Sequence, residues 1–234
     1  MRYRLAGAFV LCSLATLTLL ANHPMAGGHG LADLIRAEAR NQFADGLVHG
    51  GFIVTLSVLI VCFVFLSRLL GMARVAVVAG LVAFCVGCGA LMASMVLDGF
   101  VIPAIAVRFT GMDSSDGLAQ TQTLFILCGT LIRFLMPMGL LFQAAAMLSW
   151  SSAIVGSRGW RLAAGVFGLA AGVLLIGAIS ALLPRLREHI LLGGIVVLAV
   201  WYFALAGVLC ARNAWPPLPP GDSLTNVGVG VGPQ

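Results

Sequence analysis

Residues 75–98 read VAVVAGLVAFCVGCGALMASMVLD, twenty-three residues without a charge and then an aspartate. About 20 apolar residues in a helix cross the hydrocarbon core of a bilayer. Backbone amides find no water there, so such a run must satisfy its hydrogen bonds internally as an α-helix. The run therefore predicts a membrane span, and Asp98 poses the question of what a carboxylate does at its end.

The whole chain follows the same rule. It has 234 residues, 61% of them hydrophobic and 9% charged, with a mean hydropathy of +1.08. Soluble domains carry about 25% charged residues, so this chain has too little polar surface to cover a water-soluble core. Five further apolar runs, at about 5–22, 48–67, 122–148, 161–183 and 190–211, meet the same length test. The expectation is an all-α integral membrane bundle of six transmembrane helices within residues 1–212. Residues 213–234, rich in proline and then glycine, are expected to form a disordered cytoplasmic tail. In GVFGLAAG, Gly165, Gly168 and Gly172 recur at helical spacing and predict close helix contact.

The net charge of +5 comes entirely from arginine. The arginines are scattered at span ends with no basic run, which argues against nucleic acid as a partner. With the N-terminus inside, seven arginines (2, 4, 68, 74, 158, 161 and 212) face the cytoplasm and five (36, 40, 108, 185 and 187) face out. The positive-inside rule then predicts N-in/C-in. Arg2 and Arg4 before an apolar run also resemble a signal peptide, but LLANHPMAGG lacks a small-x-small cleavage site and Leu11 spoils a lipobox at Cys12. A retained first helix is expected. The loop 23–47 is expected to hold a short amphipathic helix lying at the membrane surface or capping the bundle.

Six cysteines lie in or beside apolar runs, so no disulfide framework is expected. The Cys85–Cys88 pair reads as small packing residues beside Gly87 and Gly89. Trp150 and Trp160 lie near span ends, as interfacial belt residues do, while Trp201 falls inside a span.

On this topology His23, His29, His49, Asp98 and His189 gather at the outer face, with Arg133 in the outer half of the fourth span. Gly99 and Pro103 in GFVIPAIAV are expected to break the third helix just beyond Asp98. An Asp98–Arg133 ion pair is one expectation; the other gives Asp98 a histidine or water and Arg133 a carbonyl. Gln143 adds a deeper polar group. His23, His49 and Asp98 form the candidate metal set. Nitrogen and carboxylate donors suit zinc or copper, and Met25, Met92 and Met95 would add thioethers. No histidine pair has ligand spacing on one helix. No tightly bound cofactor is the first expectation, with copper, zinc and haem as alternatives. The chain holds no Ser-x-x-Lys, HExxH, rhomboid-like set or carboxylate pair, so it is not expected to be an enzyme.

The pattern NHP (22–24), LVHGG (47–51) and LDGFVIPAIA (97–106) resembles an uncharacterised group of bacterial multi-pass inner-membrane proteins. The resemblance covers the first half of the chain. It implies an inner-membrane protein marked at His23, His49 and Asp98, with no activity attached. The reading from sequence is a bundle of unknown activity that works with a membrane-protein partner or a second copy in the lipid bilayer. The alternative is a small-solute or metal-ion transporter or binding protein that uses the outer cluster.

Overall fold

A computed structural model describes residues 1–24, 30–110, 115–155, 159–182 and 188–211, without the side chains of 115–116, 182 and 188–189. The elements are α1 (Arg2–Ala21), α2 (Leu31–Leu70), α3 (Val75–Val96), a π turn (Leu97–Val101), α4 (Ile102–Phe109), α5 (Ser115–Ile154), α6 (Trp160–Leu182) and α7 (Glu188–Cys210). With α3, the π turn and α4 counted as one rod, six helices are long and apolar enough to cross a membrane. The protein is a six-helix membrane bundle. The tail 213–234, Met25 and His29 lie outside the described residues.

Two departures from expectation shape one end of the bundle. The first is α2, which runs unbroken for 40 residues where a separate surface helix was expected. At about 1.5 Å per residue it is about 60 Å long, twice the roughly 30 Å of hydrocarbon. No proline interrupts it. Its glycines face neighbours instead of breaking the helix: a Cβ on Gly46 or Gly50 would meet the Phe100 ring at 3.6 or 3.5 Å, and one on Gly51 would meet Leu19 at 2.8 Å. They let α1 and the π turn come close.

The second departure lies beyond Asp98. The helix does not break at Gly99 and Pro103; it widens into the π turn and resumes as α4, with Pro103 in the first turn of α4. Proline cannot donate in a regular helix, and one wide turn accommodates the altered hydrogen bonding without a break. At the opposite end of the bundle, α2 stops at Gly71, whose φ of 97° favours glycine.

In lipid, association rests on close packing and interhelical hydrogen bonds more than on escape from water. Phe63 of α2 is the centre of that packing. Its ring stacks on Trp150 of α5 at 4.2 Å and 9°, lies 5.7 Å from Trp201 of α7, and meets Phe9 of α1 edge-on at 5.0 Å. Trp150 is fully buried and donates its indole N–H to the Ser67 hydroxyl at 3.1 Å. It is a core residue, not the belt residue its position near a span end had indicated, because α5 continues past it to Ile154. Trp160 is exposed, as a belt residue would be.

The small-residue faces behave as expected on α6, where Gly165, Gly168 and Gly172 press on Val155, Ser151 and Leu148. The two cysteines of the CxxC pair separate. Cys88 is buried and accepts a hydrogen bond from Gln143 Nε2 at 3.2 Å, while Cys85 is exposed. Gln143 in turn accepts from the Tyr202 hydroxyl at 3.4 Å, which satisfies this buried amide across α3, α5 and α7.

Candidate metal centre

Three elements deliver one side chain each to the end of the bundle. α1 ends at Ala21, capped by Asn22, whose amide donates to the Thr18 carbonyl at 2.7 Å. The next residue, His23, turns back over α2. His49 lies on α2 where the polar first third of that helix meets its apolar part, and it is 1% exposed. Asp98 sits in the π turn, its side chain 43% exposed.

The atoms converge. His23 Nε2 and His49 Nε2 are 3.2 Å apart, with the rings edge to face at 4.9 Å between centroids. His49 Nε2 is also 3.2 Å from Asp98 Oδ2. One ligand atom from each of the three residues lies within 4.8 Å of the other two. His49 Nδ1 lies 2.8 Å from the backbone carbonyl of Asp45. A carbonyl oxygen can only accept, so Nδ1 carries the proton and neutral His49 presents a lone pair at Nε2. That lone pair faces a second imidazole nitrogen and a carboxylate oxygen. In the tautomer of His23 that carries its proton on Nδ1, three acceptors face one another and a cation can sit among them. One proton satisfies one line of the triangle; a metal cation satisfies all three.

The donor set fits such a cation. Zinc binds histidine nitrogen at about 2.0–2.1 Å and carboxylate oxygen at about 2.0–2.2 Å, which puts tetrahedral neighbours about 3.3 Å apart. Two of the three separations, at 3.2 Å, already have that length. The third lies within 4.8 Å. The Nδ1–H bond to a carbonyl is the outer contact that fixes a ligating histidine's tautomer and ring plane.

The surroundings are acidic. Glu38 stands outside the apolar span 48–67, and burial pushes its carboxyl up to about 7, with Asp45 and Asp98 adding repulsion and His49 opposing it. A groove of about 370 Å³ runs beside Asp98 between α2 and the π turn, lined by Gln42, Phe43, Gly46, Leu47, Gly99 and Phe100.

Of the residues expected at this end, the structure joins His23, His49 and Asp98. Asp98 pairs with His49, the second of its two expected partners, and Arg133 is exposed on α5. His49 occupies that place because the unbroken α2 carries it alongside the π turn. The side chain of His189, like His29 and Met25, is outside the described residues. Met95 packs with Val48 and Phe52, and Met92 against the larger core. Sequence reasoning left out Asp45; its place four residues before His49, one helical turn away, was the available signal.

The fold and site thus define a multi-pass membrane protein with a histidine–histidine–aspartate cluster at one end. No family model, no curated protein and no solved structure matches the chain.

Proposed function

We propose that this protein binds a divalent transition-metal cation, of the zinc or copper(II) class, through His23, His49 and Asp98. The observation that carries this reading is the gathering of three possible ligand atoms within 4.8 Å of one another while the outer nitrogen of His49 is committed to a carbonyl. Two nitrogens and one oxygen favour zinc or copper(II) over copper(I), which prefers sulfur. The arginine distribution supports N-in/C-in, and with that orientation the site lies on the outer side. The resemblance in the first half of the chain supports a bacterial cytoplasmic membrane. On that placement the protein captures or passes a cation at the outer surface.

The test is direct uptake. Untagged protein in detergent should bind about one equivalent of Co²⁺, with a visible d–d band that Zn²⁺ quenches. Asp98→Asn should weaken binding by about tenfold or more. Uptake well below one equivalent, with no band, overturns the reading.

A further inference from the structure

The end of the bundle opposite the cluster has a different chemistry. Among the described residues it gathers Arg2 and Arg4 at the start of α1, Arg68 in the last turn of α2, Arg74 just before α3 and Arg161 in the first turn of α6. The acidic side chains among the described residues, Asp33, Glu38, Asp45 and Asp98, all stand on the first half of α2 or in the π turn, at the cluster end. No described carboxylate balances the basic end.

Two of these arginines meet around the end of α5. Arg74 Nη1 donates to the Ala153 carbonyl at 3.3 Å. Gly165, one turn beyond Arg161 on α6, is pressed against Val155, where an added Cβ would stand 3.0–3.1 Å away. The last turn of α5 thus has Arg74 against it and the first turns of α6 beside it, and the two guanidinium charges are near enough to repel each other. Like charges brought together cost stability, and an anion shared between them turns the repulsion into attraction. A guanidinium carries several N–H donors in a fork that matches phosphate oxygens, and the bond to Ala153 occupies only Nη1 of Arg74.

Aromatic neighbours set the depth. Trp160 precedes Arg161, Tyr3 lies between Arg2 and Arg4, and both rings are exposed. Exposed indole and phenol rings at span ends mark the headgroup level of a bilayer. Val75, next to Arg74, is exposed too, so apolar and basic surface adjoin there. The anion present at that depth is the phosphate of a lipid headgroup.

We infer that Arg74 and Arg161 form a binding site for the headgroup phosphate of an anionic phospholipid, at the end of the bundle opposite the cluster. An anionic headgroup is preferred to a zwitterionic one, whose choline would bring a further cation to a site that already holds two. The inference is independent of the metal-binding reading.

The test reads the fluorescence of Trp160, the chain neighbour of Arg161. Full-length protein carrying Trp215→Phe is reconstituted in phosphatidylcholine with increasing brominated phosphatidylglycerol, whose quenching gives the relative affinity of the two lipids. Phosphatidylglycerol should bind at least about tenfold more tightly, since each arginine at a membrane surface contributes about fivefold. Arg74→Gln and Arg161→Gln should each reduce that preference by about fivefold, while Arg36→Gln at the cluster end should leave it unchanged. Equal binding of the two lipids by protein with both arginines intact overturns the inference whatever the variants do. A preference that survives both substitutions places the lipid elsewhere and overturns it as well. Inorganic phosphate in the buffer should not relieve the quenching; relief would make this a site for a free anion and sink the lipid assignment.

Discussion

Replacing His49 by glutamine should weaken Co²⁺ or Zn²⁺ binding by at least about a hundredfold. Loss of an outer partner alone costs about 10–100-fold, and His49 is the one residue at hydrogen-bonding distance of both other members of the cluster. Glutamine matches much of the volume and keeps a donor and an acceptor, so the buried position stays filled. It cannot offer an sp² ring nitrogen to the ion while its other end holds the Asp45 carbonyl. Helix content by circular dichroism should match wild type, which separates a lost ligand from a lost fold. Binding kept within about threefold of wild type would place the cation elsewhere and sink the assignment.

The second large effect is expected at Gly99. Its Cα faces the imidazole so closely that an added Cβ would stand 2.5 Å from His49 Cγ and 2.8 Å from Nδ1, besides clashing with His49 Cβ. Neither neighbour can yield easily. His49 is held by its hydrogen bond to Asp45, and Gly99 by the π turn. Gly99→Ala should destabilise the protein by about 1–3 kcal/mol, the usual cost of overpacking. It should also tilt the imidazole away from its partners and reduce metal affinity by tenfold or more. Gly89→Ala, ten residues earlier on the same rod, meets nothing within 4 Å and serves as the matched control. Thermal melts and Co²⁺ titrations of the two variants side by side would decide the matter. Equal behaviour of Gly99→Ala and Gly89→Ala would mean that the close approach does not order the site.

Much of this architecture was legible in the residues. The six helices could be read because lipid leaves backbone amides no other solution, and run length alone then places the spans. Boundaries at the site end were not legible. The first third of α2 carries Asp33, Arg36, Glu38 and Arg40, and its polarity argues for a surface segment; the close approach of neighbours at Gly46, Gly50 and Gly51, where it joins the span, is not visible in that polarity.

The same continuity explains the site. His23, His49 and Asp98 were readable as rare polar groups at one end, but their pairing joins residues 26 and 49 apart in sequence, a tertiary fact that spacing on one helix cannot reveal. Depth and charge left two partners open for Asp98, Arg133 or a histidine, and the structure shows the histidine; charge and depth do not specify which face of α5 a side chain occupies. Trp150 misled for a related reason, since an indole near an expected span end packs inward once the helix runs on.

The wide turn at 97–101 has a consequence for side-chain facing. Along α3 the inward residues run Val77, Gly80, Phe84, Gly87, Leu91 and Met95, and beyond the turn they are Gly99, Pro103 and Ala106. A regular helix would have carried that line through 98, 102 and 105, since each residue advances it by about 100°. The turn absorbs one extra residue, so the line skips Asp98 and leaves it at the boundary between two stripes. There the carboxylate keeps one side in water and the other against His49. A chain one residue shorter at this point would bury the carboxylate in the core and send Gly99 away from the imidazole. The position of Asp98 is thus set by a single inserted residue, and loop or helix exchanges at this end of the bundle have to preserve the count as well as the chemistry.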